Sequence, residues 1–304
     1  MRIKLRFSLI VLMVGMGLTV FSQGVTTSAL KGLVVDQKGA PMFAATVLAT
    51  HTPTGTQYGT VTSEDGHFTI RNMKVGGPYT VRISSVGYKE VTVKDIYLDL
   101  NKTANIKVVL QETSVNIGEI EIKANTSGVM NSDRTGSMTN VSGEQIKTMP
   151  TIKRSLKDIT RLTPESDGNS FGGRNNLYNN FSVDGSIFNN SFGLDYATPG
   201  GQADAQPVSL DAIDQVQVSL APFDVREGGF TGAGVNAVTK SGTNKFKGTA
   251  YYFMRNQGMA GKKVGSAVVP NTDFSSKQYG FSIGGPIIKN KLFFFVNTEL
   301  EHRN

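Results

Sequence analysis

The chain contains no cysteine in its 304 residues. Disulfides and thiolate metal sites are thereby excluded. Histidine is scarce as well. His51, His67 and His302 are too far apart in sequence to suggest a histidine metal centre, and no cofactor is expected. Charged residues make up only 18% of the chain, and the net charge of +7 is spread without a basic stripe. Nucleic acid is therefore a poor partner. Over residues 27–112 no carboxylate pair or nucleophile–base spacing appears, and the chain is not expected to be an enzyme. Long apolar runs are missing apart from residues 7–21, and Gly15 and Gly17 interrupt that run.

That single run sits behind Arg2, Lys4 and Arg6 and ahead of Ser22. Basic residues, a short apolar stretch and small residues at Val20 and Ser22 form an export signal, expected over residues 1–22. The alternative, a membrane anchor, suits the run less well, because it is short for a span. With no cysteine nearby, a lipidated N-terminus is excluded.

What is abundant is glycine, with 34 residues, alongside many Thr, Ser and Asn. Such a composition predicts a turn-rich, mainly β protein with some helix. Over residues 27–112, seven short β-runs alternate with turn signals, which predicts a small antiparallel sandwich. Asp65-Gly66 stands between two of these runs and reads as a hairpin turn. Residues 113–124 (TSVNIGEIEIKA) follow. Their alternation at Ile120-Glu121-Ile122 has no evident partner strand and predicts an unpaired edge segment open to strand addition by another protein. A polar stretch to residue 137 continues this linker.

Residues 138–240 mix helix and strand signals. Ser142 and Gln145 have capping-box spacing. Ile152, Leu156, Ile159 and Leu162 fall at helical spacing before Pro164. Strands are expected at 181–183, 215–220 and 230–239. From residue 245 the pattern changes again. Residues 245–256 (KFKGTAYYFMRN), 277–288 (KQYGFSIGGPII) and 291–301 (KLFFFVNTELE) alternate at about the length a tilted strand needs to cross a bilayer. Three strands cannot close a barrel, so the chain is expected to be the front part of a larger membrane protein, with 245–304 a truncated barrel.

Three sets of residues carry a resemblance. Gly32, Val34, Asp36, Gly39 and Pro41, then Thr62, Asp65, Gly66 and Phe68, then Val81, Ile83, Gly87 and Tyr88 resemble the carboxypeptidase regulatory-like domain, a transthyretin-like sandwich. That module either binds a ligand or partner or serves as a spacer. Val183-Asp184-Gly185, the run 213–218 with Gln217 where Glu is usual, and Gly232, Gly234, Asn236 and Thr239 resemble the plug of TonB-dependent outer-membrane receptors. Their order along the chain is similar to the Oar-like, SusC-related branch of Bacteroidota.

The resemblance implies active uptake across the outer membrane of a Gram-negative cell, with sandwich and linker on the periplasmic side. It implies TonB as energy-delivering partner, an extracellular substrate, and a surface lipoprotein as a further partner. It places a candidate TonB box at Ile117, Gly118, Glu119, Ile120, Glu121 and Ile122. It also implies a plug loop facing the ligand, with Phe171, Arg174, Tyr178 and Phe188 as candidates. The alternative is a secreted or surface-attached β-sandwich binding or adhesion module; an accessory peptidase subunit is a third possibility.

Overall fold

Strand alternation decides most of this architecture. A computed structural model describes residues 25–113, 120–123, 137–168, 170–190, 206–222, 224, 227–268 and 273–304. The expected export signal, residues 117–119 of the candidate box and most of the linker lie outside the described residues. Among the described residues no helix is long and apolar enough to cross a membrane.

The first module is a sandwich. Strands β1 (Thr27–Asp36), β4 (His67–Lys74) and β7 (Thr103–Leu110) form one sheet in the order β4-β1-β7. Strands β2 (Thr46–His51), β3 (Thr56–Val61), β5 (Gly76–Ser84), β6 (Val91–Leu98) and β8 (Ile120–Lys123) form the other, in the order β3-β2-β5-β6-β8. Alternate residues point inward, as a two-residue period requires. Leu30, Val34, Phe68, Ile70, Val108 and Leu110 meet Val47, Tyr79, Val81, Ile83, Val93 and Ile96 in one apolar cluster. Gly32 is needed where it stands, because a Cβ there would meet the Phe68 ring at 2.6 Å.

Three expectations for this region need correction. The sandwich is not wholly antiparallel, since β1 and β7 run parallel along eight residue pairs from Ala29↔Thr103 to Asp36↔Leu110. The chain reaches β7 from β6 through the turn around Asn101, which crosses to the other sheet. Asp65-Gly66 does not close a two-strand hairpin. Gly66 takes φ +75° in a tight turn, but β3 and β4 leave it for opposite sheets. The turn chemistry is the same in both cases, and only burial decides which sheet each strand joins. Finally, residues 120–123 are not unpaired. β8 adds in parallel to β6, with Val91↔Ile120 and Val93↔Ile122 in register.

The second module is a mixed sheet with two short helices. Strands β9 (Met138–Ser142), β10 (Asn180–Val183), β11 (Ser186–Ile187), β12 (Ile213–Ser219) and β13 (Gly234–Thr239) lie in the order β11-β10-β13-β12-β9. The helix Gly143–Thr148 begins with the expected capping box of Ser142 and Gln145. The helix Leu156–Thr160 is shorter than the apolar spacing predicts. The Asp158 carboxylate accepts from the backbone N–H groups of Lys153 (2.9 Å) and Ser155 (3.2 Å), which fixes the start of the helix. Ile152 is left outside it and exposed, and Leu162 follows its end. Ile159, Val141, Ile146, Phe181, Val216 and Val235 form a second apolar cluster, separate from the first.

The third module is an antiparallel sheet of β14 (Lys247–Asn256), β17 (Ser275–Ile288) and β18 (Leu292–Arg303), in the order β14-β17-β18. A small hairpin of β15 (Lys263–Val264) and β16 (Ala267–Val268) stands in the long connection between β14 and β17. Cross-strand rows on one face read Tyr252–Tyr279–Leu300 and Ala250–Phe281–Thr298, with Ile283 opposite Val296. These large side chains are about half exposed. Rows on the other face read Thr249–Ser282–Asn297, Tyr251–Gly280–Glu299, Phe253–Gln278–Glu301 and Arg255–Ser276–Arg303. An apolar outer face and a polar inner face with a two-residue period are what a membrane barrel wall requires. The fold is thus mainly β: a sandwich, and sheets consistent with an incomplete barrel.

Candidate functional site

The second module sits against the polar face of the third. Its edge at residues 209–211 supplies most of the contacts. Ser209 Oγ donates to Glu299 Oε2 at 2.9 Å and lies 3.2 Å from the Tyr251 hydroxyl, which itself donates to Glu299. Gln278 Nε2 donates to the other Glu299 oxygen at 2.8 Å. Asp211 accepts from Thr249 Oγ1 at 2.8 Å and from Asn297 Nδ2 at 3.4 Å, with the Lys240 ammonium 3.6 Å away. Hydrogen bonds between hydroxyls, amides and carboxylates carry this interface. Each can be replaced by water when the two surfaces slide apart.

The motif residues at 183–185 and 232–239 form one local assembly. Strands β10 and β13 pair in parallel, with Ser182↔Asn236 and Val183↔Ala237 in register. Asp184, at φ +48°, accepts from the Thr239 N–H at 2.9 Å and from its hydroxyl at 2.7 Å. Gly185 completes the turn at φ +80°. A Cβ on Gly234 would meet the Phe230 ring at 2.7 Å, and one on Gly232 would run into Asn179. These contacts hold the chain in place as it leaves the second module for β14.

Of the four residues expected in a ligand-facing loop, one is misassigned. Phe171 is only 2% exposed and belongs to the second apolar cluster, so it packs the core. The turn through Gly172 and Gly173 carries the chain away from it to Arg174, which is exposed. Tyr178 and Phe188 are also exposed, although Phe188 packs edge-on to Phe181 at 6.5 Å between ring centres. The motif at 213–218 is β12, and Gln217 in it is buried at 1% exposure, with Nε2 against Met138 Sδ at 3.0 Å. A neutral amide there avoids the cost of burying a carboxylate.

The joint between the first two modules was not foreseen from the sequence. Gln215 on β12 is buried and reaches the turn after β6. Its Oε1 accepts from the Leu100 N–H at 2.8 Å, and its Nε2 donates to the Leu98 carbonyl at 3.2 Å. Asn140 Nδ2 donates to the Leu100 carbonyl at 2.8 Å, Asn236 Nδ2 to the Val25 carbonyl at 2.6 Å, and Asn101 Nδ2 to Glu227 at 2.6 Å. Beside these, burial holds Asp214 above the usual carboxylate range, against the pull of Lys74 and Lys240. Burial likewise lowers the Lys74 ammonium, against the pull of Asp214. Nothing in the spacing of single Asn and Gln residues marks them as bridges; only pairing of β12 with β9 and β13 brings them to the joint.

The sandwich also touches the turn between β17 and β18. Asn244 donates its N–H to the Pro53 carbonyl at 2.8 Å, and the Asn244 side chain binds Asn290 at 2.7 and 2.8 Å.

Residues 29–111 match the carboxypeptidase regulatory-like domain, and residues 238–304 match an outer membrane beta barrel domain. The chain is similar to the TonB-dependent transporter Oar of Myxococcus xanthus, 26% identical over 289 residues. That match covers 89% of this chain and 26% of the relative, so the chain spans about a quarter of the length of that relative. Among solved structures, the siderophore receptor PirA from Acinetobacter baumannii aligns with 55% of this chain and 24% of its own, at 20% identity and a TM-score of 0.40. The 3-chlorocatechol 1,2-dioxygenase of Rhodococcus opacus 1CP aligns with 30% of this chain and 62% of its own, at 14% identity and a TM-score of 0.25.

Proposed function

We propose that this chain supplies the sandwich, plug and first wall strands of a TonB-dependent outer-membrane transporter, which takes up a substrate without breaking a bond in it. One observation carries the proposal: the second module rests through polar contacts on one face of a sheet whose other face is a band of Tyr, Phe, Ile, Val and Leu. A sheet so divided suits lipid on one side and a polar cork on the other. A secreted binding module has no use for that division.

In this reading residues 1–22 are the export signal, 27–112 the sandwich, 113–137 the linker, 138–240 the plug and 245–304 wall. The sandwich lies on the periplasmic side. Barrels of this kind have short periplasmic turns and longer outer loops, and the sandwich meets the short 289–291 turn rather than the long 257–274 connection. The linker segment Ile117–Gly118–Glu119–Ile120–Glu121–Ile122 is the part pulled by TonB. Its placement between sandwich and plug, and the capacity of 120–123 to join a sheet edge, support that role. Arg174, Tyr178 and Phe188 remain candidates for contact with substrate.

The test uses the complete protein. A strain lacking it should fail to import some class of solute. Deleting 117–122 should abolish that import while leaving binding at the cell surface intact. Import that persists after the deletion removes the linker from the mechanism, and a protein found outside the outer membrane removes the proposal.

A further inference from the structure

A cavity of about 190 Å³ lies between plug residues 151–154 and the last two inner rows of the wall. Those rows are Phe253–Gln278–Glu301 and Arg255–Ser276–Arg303, next to the long 257–274 connection and away from the sandwich. Basic side chains outnumber acidic ones in its lining. Lys153, Arg154, Arg255 and Arg303 line it, against the single carboxylate of Glu301. That carboxylate is already engaged. Arg303 donates to both of its oxygens, through Nη2 at 2.9 Å and through Nε, and Ser276 Oγ lies 3.4 Å away.

Among the described residues neither Arg154 nor Arg255 forms an ion pair. Arg154 is held with its guanidinium carbon 4.6 Å from the Tyr251 ring centre and 4.2 Å from that of Phe253. Its Nε is shut off from solvent and has no hydrogen-bond acceptor. Arg255 makes one long contact, 3.5 Å from Nη1 to the Ile152 carbonyl, and lies 5.3 Å from the Phe274 ring centre. Because that Nε is covered, it is the rest of the half-buried Arg154 guanidinium that can meet a ligand. A guanidinium fixed over aromatic rings loses little further freedom on binding, and its fork matches the oxygens of a carboxylate or phosphate.

We propose that this cavity binds a carboxylate or phosphate group carried by a small solute that enters from the long-loop side of the wall. The inference rests on the transport reading, since it names the charge of what that transporter takes. The site uses Arg154 and Arg255 as donors, with the Tyr251 and Phe253 rings as their support.

The experiment measures binding to the complete purified protein by calorimetry. Citrate tests the carboxylate, glucose 6-phosphate the phosphate, and glucose serves as a neutral control. Binding of at least one anion, absent for glucose and weakening as salt rises, is expected. Arg255→Gln should weaken that anion by roughly tenfold or more, the loss of one charge-assisted hydrogen bond, and Arg255→Lys by less. Arg154→Gln should do the same; should it loosen the plug, as thermal melting would reveal, Arg255→Gln carries the test by itself. Anion affinity equal in wild type and Arg255→Gln overturns the site, as does binding of neither anion. Import of a neutral solute that is indifferent to both substitutions overturns the site and leaves the transport reading standing. Arginine-dependent binding without any import supports the site and sinks the transport reading.

Discussion

Replacing Gln215 by Leu should loosen the sandwich from the plug without unfolding either. The leucine keeps much of the volume but removes two hydrogen bonds, one from the Leu100 N–H at 2.8 Å and one to the Leu98 carbonyl at 3.2 Å. Both backbone groups lie in a buried joint where Leu98 and Leu100 are fully covered. A buried polar group left without its partner costs about 1–3 kcal/mol. Two such groups put the loss near 3 kcal/mol, roughly a hundredfold in the opening equilibrium of the joint. Amide hydrogen exchange reads this directly. The Leu100 amide should exchange about a hundredfold faster in the variant, while amides inside β1 and β5 stay unchanged. Asn101→Ala, at the half-buried contact to Glu227, should change the same amide by less than about tenfold. If Leu100 exchanges equally slowly in wild type and Gln215→Leu, the amide bridge does not hold the joint.

His51 gives the sandwich a pH limit. Burial first, then the Lys74 charge, lowers its imidazole from 6.5 to about 4. The unfolded chain takes up the proton near 6.5 and the folded chain does not, so stability is full above that pH and falls as pH drops towards 4. The loss is at most about 3 kcal/mol. Urea unfolding from pH 7 to 4 should show it, and His51→Gln should flatten that slope; an equal slope in both refutes the assignment. Asp184→Ala removes both acceptors of Thr239 from a residue at φ +48° and should cost about 1–2 kcal/mol, read as a lower unfolding midpoint in urea. Arg placed at Phe281 on the outer face should cost about 2–4 kcal/mol in a bilayer. Arg at Thr249 on the inner face should spare folding into lipid but disturb Asp211. Equal membrane assembly of the two variants would contradict the division of faces.

The elements legible in the sequence were those whose reason is local. The wall strands β14, β17 and β18 begin and end within about two residues of their alternating runs, because lipid length and a two-residue period set them. The capping box at Ser142 and Gln145 and the turn at Asp184-Gly185 are equally local. Misassignments came where burial decides. Asp65-Gly66 reads as a hairpin turn whether the strands beyond it pair or part, and they part into two sheets. Ile120-Glu121-Ile122 reads as unpaired because the residue each pairs with in β6 lies 29 positions earlier in the chain. Phe171 sits in a polar, glycine-rich stretch, the usual sign of an exposed loop, yet its ring fills the second core. Neither Gln215 at the joint nor Arg154 and Arg255 at the cavity stood out in the sequence, since the packing of β12, β14 and residues 151–154 brings them there.

The chemistry changes between the inside of each module and the surfaces where modules meet. Among the described residues the two apolar cores, Leu30 to Leu110 in one and Val141 to Ala237 in the other, share no side chain, although Leu100 is fully covered at the joint between them. Contacts between modules are made instead by Gln215, Asn140, Asn236, Ser209, Asp211, Asn244 and Asn290. Had the joints been apolar, separating them would cost about 25 cal/mol for every Å² of apolar surface uncovered. Water cannot repay that cost. Water can repay most of a hydrogen bond, so a joint of amides and carboxylates holds a defined geometry and still parts at modest cost. On the proposed transport reading, a plug that shifts inside a wall, with a sandwich braced against both, needs joints of that kind. Arg154 and Arg255 line a polar cavity and form no ion pair among the described residues, and an anion from outside would supply one.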